Sequence, residues 1–417
     1  MIQFNPAQLK AIYSNEPNIV VVAPPGSGKT AVMCAAIQEY AALHPTHSVT
    51  AITYTKKAAE ELAERVKNPK IKTSTIHSWS LKQLYALGRK YDFSVELLEE
   101  EEMRQIMQKI AYRKNLKFVN IYQLYNYITG NVKTLDLDDS IAKKYERIKI
   151  LYIEYKQERG LYDFTDLPQY LLNVLEQYDE QIYDIDAFFV DEFQDVDLVQ
   201  YEIFNKVMAR KKFYIGDFRQ MIYAFNASLE DAFDRLQELN FKFYYLDTNY
   251  RSKQSIMDVA DSFRDSYEGE ECIITDLKEL HHSKIVCERG EGGDVYLIDK
   301  TGYCLSTTDT TRTPRTIVQN ILNKPNTIIL CRTNKQVRKI QALGVQNCST
   351  IHQAKGLEYD SVILADMVVN NNEELNVAYV GMTRAKNELC VINFEYLIAL
   401  LTTIDIKPVV DVKNVLF

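Results

Sequence analysis

Short apolar runs alternate along the chain with segments in which apolar residues recur at helical spacing. The runs are rich in β-branched or aromatic residues: Ile19 to Val22, Val49 to Thr53, Ala187 to Val190, Phe213 to Ile215, Thr327 to Leu330 and Ser361 to Leu364. Strands that alternate with helices are typical of parallel sheets covered by helices. The pattern therefore predicts an α/β fold.

The alternation stops across residues 84–183, where the sequence becomes rich in Leu, Tyr, Lys and Glu. Helical spacing predicts one helix over Val95 to Tyr112 and another over Ser140 to Arg159. The charged run Glu99 to Glu102 is typical of a solvated helix face. We interpret this region as a helical insertion within the first α/β unit.

The predicted domain organisation follows from these changes in pattern. A first α/β domain is expected over residues 1–84 and 181–247, the helical insertion over residues 85–180, and a second α/β domain over residues 248–417. The Gly-, Thr- and Asp-rich stretch from His281 to Arg315 predicts turns, short strands or a mobile loop. A chain of 417 residues is long enough for several such units.

Bulk composition is that of a soluble globular protein, with 46% hydrophobic and 25% charged residues. The start of the chain lacks a basic segment followed by an apolar one, and no apolar run approaches the length of a membrane span. These features predict a cytoplasmic protein, or one in the host cytoplasm if a phage encodes it. The seven cysteines form no CxxC pair, which predicts reduced packing thiols. The net charge of −8 still allows a local basic groove.

The first apolar run leads directly into a glycine-bearing turn that ends in Lys-Thr. Its residues are Pro24, Pro25, Gly26, Ser27, Gly28, Lys29 and Thr30, with Ala23 where the usual pattern has its first glycine. Backbone amides in such a turn can surround phosphates, Lys29 can neutralise them, and the Thr30 hydroxyl can bind Mg²⁺. This segment predicts a nucleoside triphosphate site.

A second apolar run, Ala187 to Val190, ends in two adjacent carboxylates, Asp191 and Glu192. Ligands of open α/β sheets bind at the carboxyl ends of strands, where this pair is expected to lie. Asp191 is the predicted Mg²⁺ ligand, and Glu192 is the predicted base that deprotonates the attacking water. A solvated acidic turn is the plainer interpretation, but the phosphate loop upstream favours the catalytic one.

Further motifs follow in a fixed order along almost the whole chain. They are Phe4 to Gln8, Thr53 to Ala59, Thr73 to Ser78, Asp163 to Leu167, Val190 to Asp195, Ile215 to Phe225, Asn249 to Ser252, Leu330 to Asn334, Thr350 to Glu358 and Ala378 to Ala385. Together they resemble the UvrD/Rep/PcrA-like branch of superfamily one DNA helicases. The resemblance implies two RecA-like P-loop domains, the first of them carrying the helical insertion.

The resemblance also implies roles for individual residues in ATP binding and hydrolysis. Lys29, Asp191, Glu192, Gln220, Arg251 and Arg384 are implied to be catalytic. The implied nucleotide contacts are the loop Pro24 to Thr30 with Gln8 at the adenine, Tyr250 stacked on the base, Arg251 and Arg384 at the γ-phosphate, Gly356, and Glu358 at the ribose. ATP and Mg²⁺ are therefore the expected cofactors.

Single-stranded DNA and junctions between single and double strands are the implied nucleic-acid partners. Tyr54, Tyr223 and Phe225 fall at family positions that stack on bases, and Lys56, His77 and His352 are the implied phosphate or sugar contacts. The implied activity is ATP-dependent movement along single-stranded DNA, 3′ to 5′ by resemblance, with separation of the duplex. A monomer is expected, no membrane contact is expected, and a protein loading partner is left open.

One departure from the family pattern is large. Relatives carry an accessory domain between the motifs at Leu330 to Asn334 and Thr350 to Glu358, whereas here only Lys335 to Ser349 join them. This chain is therefore identified as a compact member of the family. Three alternatives stay open: a DNA-stimulated translocase that strips proteins without opening duplex, an inactive binding scaffold, and a motor that tracks along RNA.

Overall fold

The computed structural model describes residues 3–116, 119–129, 137, 139–222, 229, 231–265, 285–307, 312–365 and 371–403. The strands are β1 (Asn18–Val22), β2 (Val49–Thr53), β3 (Ile71–Thr75), β4 (Ala187–Val190), β5 (Lys211–Gly216), β6 (Lys242–Tyr245), β7 (Thr248–Asn249), β8 (Val286–Cys287), β9 (Asp294–Ile298), β10 (Cys304–Ser306), β11 (Thr327–Cys331), β12 (Cys348–Thr350), β13 (Tyr359–Ala365) and β14 (Ala385–Ile392).

The α-helices in the described ranges are α1 (Pro6–Ile12), α2 (Lys29–Leu43), α3 (Lys56–Val66), α4 (Ile76–Tyr91), α5 (Glu100–Arg113), α6 (Ile121–Ile128), α7 (Asp139–Gln157), α8 (Leu167–Gln177), α9 (Leu198–Asn205), α10 (Ala232–Glu238), α11 (Gln254–Asp265), α12 (Pro314–Leu322), α13 (Asn334–Ala342), α14 (Asn372–Met382) and α15 (Phe394–Leu401). None of the described helices combines the length and the apolar character needed to cross a bilayer.

The chain divides into two compact units. The first unit comprises Met1–Pro45, Phe189–Asp197 and Lys211–Phe417, and the second comprises Thr46–Phe188 and Leu198–Arg210. The second unit contains β2, β3 and the start of β4, and the first unit contains the end of β4 together with β1, β5 and β6.

In the first unit, β1 lies between β5 and β6, and all three strands are parallel. Ile19 to Val22 of β1 are fully buried. Strands covered on both faces consist of uninterrupted apolar residues, which is why the sequence pattern predicts this strand so clearly. The carboxyl ends of these strands form the edge from which the phosphate loop leaves.

The first unit contains a second sheet, with strand order β10-β9-β14-β13-β11-β12. All its neighbouring strands are parallel except β10, which pairs antiparallel with β9. Apolar side chains of β11 and β13 alternate between two clusters, with Leu330 and Leu364 in one and Ile329 and Ile363 in the other. The predicted fold class, α/β with two such sheets and a helical insertion, is confirmed.

The Gly-rich stretch His281 to Arg315 contains short strands where it is described. β8 pairs with β7, and β9 and β10 form a hairpin against β14. Pro314 then begins α12, capped by the Thr313 side chain. The prediction of turns and short strands is confirmed for residues 285–307, and residues 281–284 and 308–311 lie outside the described residues.

In the second unit, β2 and β3 are parallel, and α5, α6 and α7 pack around a shared apolar cluster that includes Met107, Leu124, Ile148 and Tyr152. The first helix of this layer begins at Glu100 and not at Val95 as predicted. Glu99 and Glu102 form a reciprocal cap at its start, and Glu100 to Glu102 occupy its first turn. Acidic residues are stabilising at a helix N-terminus, so the charged run marks the start of the helix.

A buried ionic cluster joins α7 to the turn that precedes α8. The Lys156 ammonium group donates to Asp163 Oδ2 at 2.7 Å and to Asp166 Oδ2 at 2.5 Å, and the Tyr152 hydroxyl donates to Asp163 Oδ2 at 2.9 Å. The side chains of Lys156 and Asp163 are only 5% and 0% exposed. Lys156 and Asp163 therefore depend on their partners for solvation, whereas the Asp166 side chain is 29% exposed.

Replacing Lys156 by Met is expected to destabilise this part of the second unit by about 3 to 5 kcal/mol, because the buried Asp163 carboxylate would lose the cation that it shares with Asp166. Hydrogen–deuterium exchange of residues 161–175 should become about 100- to 4,000-fold faster, since each 1.4 kcal/mol is a factor of ten. Lys143→Met is the matched control, since Lys143 is exposed on the same helix and should change stability by less than about 0.5 kcal/mol. Unchanged exchange in Lys156→Met would show that the cluster contributes little.

Candidate functional site

The turn between β1 and α2 has the geometry of a phosphate loop. Gly26 and Gly28 have φ angles of 70° and 82°, in the left-handed region that glycine adopts without steric cost. Within the described part of the chain no side chain caps α2 at Gly28, so the amide groups of the first helical turn can bind an anion. Lys29 begins the helix, and its Nζ lies 3.4 Å from the Ala23 carbonyl oxygen.

The segment Asn249 to Arg251 lies directly against this loop. The Asn249 side chain donates to the Pro25 carbonyl at 2.7 Å, and the Tyr250 N–H donates to the Gly26 carbonyl at 2.8 Å. A Cβ on Gly26 would come within 2.7 Å of Arg251 Cβ. The close backbone approach therefore requires glycine at position 26, and it brings Tyr250 and Arg251 to the loop.

The Gln8 amide supports the loop. Asn5 and Gln8 form a reciprocal cap at the start of α1, in which Gln8 Oε1 accepts from the Asn5 N–H at 2.9 Å. Gln8 Nε2 donates to the Ser27 carbonyl at 2.9 Å. The amide retains one acceptor lone pair and one N–H, which are the groups that an adenine edge needs. A cavity of about 540 Å³ adjoins this helix and is lined by Asn5, Pro6, Ala7, Lys10, Phe243, Tyr244, Tyr245, Asp247 and Thr248.

Asp191 and Glu192 follow β4 directly and are half-buried. Glu192 has a φ angle of 50°, which is uncommon for a residue other than glycine, and its N–H donates to Asp191 Oδ1 at 3.0 Å. Burial is the main reason that the pKa of Asp191 is raised, and the negative charge of Glu192 raises it further. Burial opposes ionisation of Glu192 too, but the positive charges of Lys29 and Lys355 outweigh it and lower the pKa of Glu192. Glu192 is therefore ionised, as a general base must be.

Gln220 and Arg384 contact each other near Glu192. Arg384 is buried, and its Nη2 donates to Gln220 Oε1 at 3.2 Å, while its Nε donates to the Val380 carbonyl at 3.0 Å. Gln220 Nε2 in turn donates to Asp217 Oδ2 at 2.8 Å. Burial and then repulsion from Arg251 lower the pKa of Arg384 to about 9, so the guanidinium stays charged at neutral pH.

Arg251 and Glu358 form an ion pair beside Arg384. Arg251 Nε lies 3.0 Å from Glu358 Oε2, and Lys386 Nζ lies 2.6 Å from Glu358 Oε1. Gly356 is exposed and has a φ angle of 84°. The structure therefore brings Glu358, a predicted nucleotide contact, directly to Arg251.

The sequence does not predict one ion pair that lies beside Gln220. Lys355 Nζ lies 2.5 Å from Asp195 Oδ2 and 3.2 Å from the Gln220 carbonyl oxygen. Asp195 is buried, and burial, opposed by the Lys355 charge, raises the pKa of Asp195 to about 6. Asp195 and Lys355 each belong to a motif recognised in the sequence, so both could be identified as candidate site residues. Their separation of 160 positions gives no indication that they pair.

The residues around the loop suit a magnesium nucleotide. The Ser27 hydroxyl is buried and has no hydrogen-bond partner within the described residues, as expected of a group that awaits a ligand. Thr30 and Asp191 supply the oxygen donors that Mg²⁺ prefers. The charge of Lys29 and the uncapped start of α2 suit phosphate.

The residues of the second unit that are predicted to contact a nucleic-acid strand lie on its surface or close to it. Tyr54 is 41% exposed, and Lys56 begins α3 with its ammonium group 3.9 Å from Glu60. The His77 ring stacks on Phe164, with ring centroids 5.3 Å apart and an interplanar angle of 18°. Burial lowers the pKa of His77, so the ring is neutral at pH 7. Phe164 itself is exposed, and the sequence prediction assigned it no role.

The first unit contains the other residues that are predicted to contact the nucleic-acid strand, and the one that is described is buried. His352 is buried, with its Nε2 3.2 Å from the Ile222 carbonyl oxygen and 3.4 Å from Arg332 Nη1. Tyr223 and Phe225 lie outside the described residues.

Six cysteines lie in the described part of the chain, and all six carry free thiols.

Two family models match the chain. The UvrD/REP helicase N-terminal domain matches residues 4–240, more than half of the chain, and the UvrD-like helicase C-terminal domain matches residues 345–396. The segment between Asn334 and Thr350, where relatives were expected to carry an accessory domain, consists of α13, a short turn and β12.

Similar proteins carry related names. A putative ATP-dependent DNA helicase, YjcD of Bacillus subtilis (strain 168), is 30% identical over 292 residues, which are 62% of this chain and 38% of the relative. ATP-dependent DNA helicase Rep of Buchnera aphidicola subsp. Baizongia pistaciae is 28% identical, over 62% of this chain and 42% of the relative. A probable DNA helicase of Mycoplasma pneumoniae is 25% identical, over 94% of this chain and 84% of the relative. The chain thus spans less than half of the length of the first two.

Proposed function

Because this chain belongs to the UvrD/Rep helicase family, we propose that it is an ATP-dependent DNA helicase that moves 3′ to 5′ along single-stranded DNA and separates duplex ahead of it. The observation that carries the proposal is that the phosphate loop, the carboxylates after β4, and a buried arginine bonded to Gln220 occur in one compact unit. Such a set suits hydrolysis of a nucleoside triphosphate. Residues 1–84 and 181–247 would form the first motor domain, 85–180 its insertion and 248–417 the second.

Each residue of the candidate ATP site has a role in this proposal. Lys29 would neutralise the β- and γ-phosphates, and Glu192 would take the proton of the attacking water. Thr30 and Asp191 would hold Mg²⁺, which neutralises phosphate charge when bound. Arg251 and Arg384 would spread the charge that develops on the transferred group.

Recognition of the nucleotide would use the surroundings of the loop. Gln8 would bind the adenine edge, and Tyr250 would stack on the base. The loop Pro24 to Thr30 would surround the phosphates, Gly356 would contact the nucleotide, and Glu358 would lie at the ribose.

Gln220 would couple hydrolysis to movement. It contacts Arg384, which follows α14, while its own segment follows β5. When the γ-phosphate is bound, Lys29, Gln220, Arg251 and Arg384 would all contact it, so binding favours a closed cleft and hydrolysis favours an open one. Repeated closing and opening would become steps along the strand if two gripping surfaces alternate in strength.

The strand would be held by stacking and by backbone contacts, which are largely independent of base sequence. Tyr54, Tyr223 and Phe225 would stack on bases, and Lys56, His77 and His352 would contact phosphate or sugar. His352 is buried in this structure, so its contact would require rearrangement around Ile222.

A second candidate is a DNA-stimulated translocase that removes proteins from single strands and opens no duplex. The compact link of α13 and β12 favours it, because that link stands where relatives were expected to carry an accessory domain. Both candidates need the same ATP site and differ only in strand separation.

Strand separation on duplexes with a 3′ or a 5′ single-stranded tail tests the proposal. We expect ATP-dependent opening of the 3′-tailed duplex alone, measured at low salt because phosphate contacts weaken steeply as salt rises. Lys29→Ala should bind the strand and neither hydrolyse ATP nor open duplex. DNA-stimulated hydrolysis without opening would favour the translocase, and equal stimulation by RNA would remove the assignment to DNA.

A further inference from the structure

The Gln194 side chain links the proposed general base to the end of β5. Gln194 is completely buried in the first unit. Its Nε2 donates to Glu192 Oε2 at 2.5 Å, and its Oε1 accepts from the Asp217 N–H at 2.9 Å. The amide therefore spans the gap between two segments that follow neighbouring strands, β4 and β5.

The chemistry of the two partners fixes the orientation of this amide. An ionised carboxylate accepts hydrogen bonds and cannot donate them, and a backbone N–H can only donate. The NH₂ group must therefore face Glu192, and the carbonyl oxygen must face Asp217. A glutamine meets both demands, whereas a glutamate of the same shape would place a second carboxylate against Glu192.

Gly216 provides the space that this arrangement needs. A Cβ at position 216 would lie 2.5 Å from Gln194 Oε1, closer than two atoms can approach without a shift. The nearest atom is the end of a side chain, and the backbone nitrogens of Phe193 and Gln194 follow at 3.1 Å each, so an added methyl group would displace the amide first. Position 216 thus controls the Gln194 amide without touching a carboxylate.

Glu192 itself needs such support. It has a flexible side chain on a residue with a left-handed backbone, and a general base must lie within hydrogen-bond reach of the water that it deprotonates. Gln194 is held by the Asp217 amide, and Asp217 accepts from Gln220, which contacts Arg384. The orientation of Glu192 is thereby connected to the residues proposed to detect the γ-phosphate.

We infer that Gln194 is a positioning residue that aims the Glu192 carboxylate for ATP hydrolysis, with Gly216 as the residue that makes room for it. The inference rests on the proposed function, because it needs Glu192 to act as the base. It predicts that loss of the Gln194 donor slows the chemical step and leaves binding of ATP and DNA unchanged.

The test is the isosteric change Gln194→Glu in the full chain. We expect kcat for hydrolysis stimulated by single-stranded DNA to fall about 10²-fold, since misplacing a catalytic group by about 1 Å has that effect. The KM for ATP, the affinity for a fluorescent ATP analogue and the affinity for single-stranded DNA should stay within about twofold of the unchanged protein, since binding does not use the base. Gly216→Ala should lower kcat in the same direction with every carboxylate intact.

Gln237→Glu is the matched control, because it makes the same chemical change at an exposed position of α10. A kcat for Gln194→Glu equal to that of the control would overturn the inference. So would a parallel loss of nucleotide affinity, DNA affinity and melting temperature in both Gln194→Glu and Gly216→Ala, because that pattern marks a purely structural role. If the unchanged protein hydrolyses ATP without separating strands, only the proposed helicase activity is overturned. If it does not hydrolyse ATP at all, both the proposed function and the inference about Gln194 are overturned.

Discussion

Replacing Glu192 by Gln is expected to lower kcat for ATP hydrolysis by about 10²- to 10⁴-fold, the usual contribution of a general base. The change keeps the shape of the side chain and removes its ability to take a proton. The nucleotide contacts proposed for Lys29 and the phosphate loop do not involve Glu192. Affinity for ATP and for single-stranded DNA should therefore be retained, and the variant should remain bound to both.

The measurement is steady-state hydrolysis with saturating single-stranded DNA, together with equilibrium binding of a fluorescent ATP analogue. Glu238→Gln is the matched control, because Glu238 is exposed at the end of α10. This variant should hydrolyse ATP like the unchanged protein. Hydrolysis by Glu192→Gln within about tenfold of the control would remove Glu192 from the role of general base and direct attention to Asp195.

The sheets could be predicted because their strands are buried on both faces. The predicted limits of β2 and β4 agree with the structure at both ends, β1 begins one residue before its predicted start, and β13 extends two residues before and one residue after its predicted limits. An uninterrupted apolar run of this length has few other stable arrangements. The start of α5 was predicted less well, because Leu97 pairs with Tyr162 far along the chain and capping at Glu99 decides where the helix begins.

The members of the candidate site could be recognised from motifs, but their contacts with each other could not. Lys355 with Asp195, and Gln194 with Asp217, are pairs of residues that lie far apart in the sequence and meet only when the strands align. Sequence spacing shows which residues share an element and is silent on which buried charges pair between elements. The Lys156 cluster was missed for a different reason, because a lysine in a helical pattern resembles a surface residue.

Arg384→Ala should have the largest effect on catalysis, lowering kcat by about 10³- to 10⁵-fold, as arginine fingers do in other nucleoside triphosphatases. The guanidinium is buried and is oriented by the Val380 carbonyl at 3.0 Å and the Gln220 amide oxygen at 3.2 Å. Preorganised charge in a site that excludes water stabilises a transition state far more than the same charge in solvent. Arg384→Lys should recover little activity, because an ammonium group cannot replace the planar fork.

Single-turnover hydrolysis measures this effect without a contribution from product release. Arg89→Ala is the control, since Arg89 is exposed on α4 and its loss should leave the rate unchanged. Circular dichroism should show that Arg384→Ala keeps its fold, because removal of the side chain leaves the Val380 carbonyl and Gln220 with other partners or water to bind. A folded Arg384→Ala that hydrolyses ATP within about tenfold of the control would mean that Arg251, paired with Glu358 at 3.0 Å, supplies the transition-state charge alone.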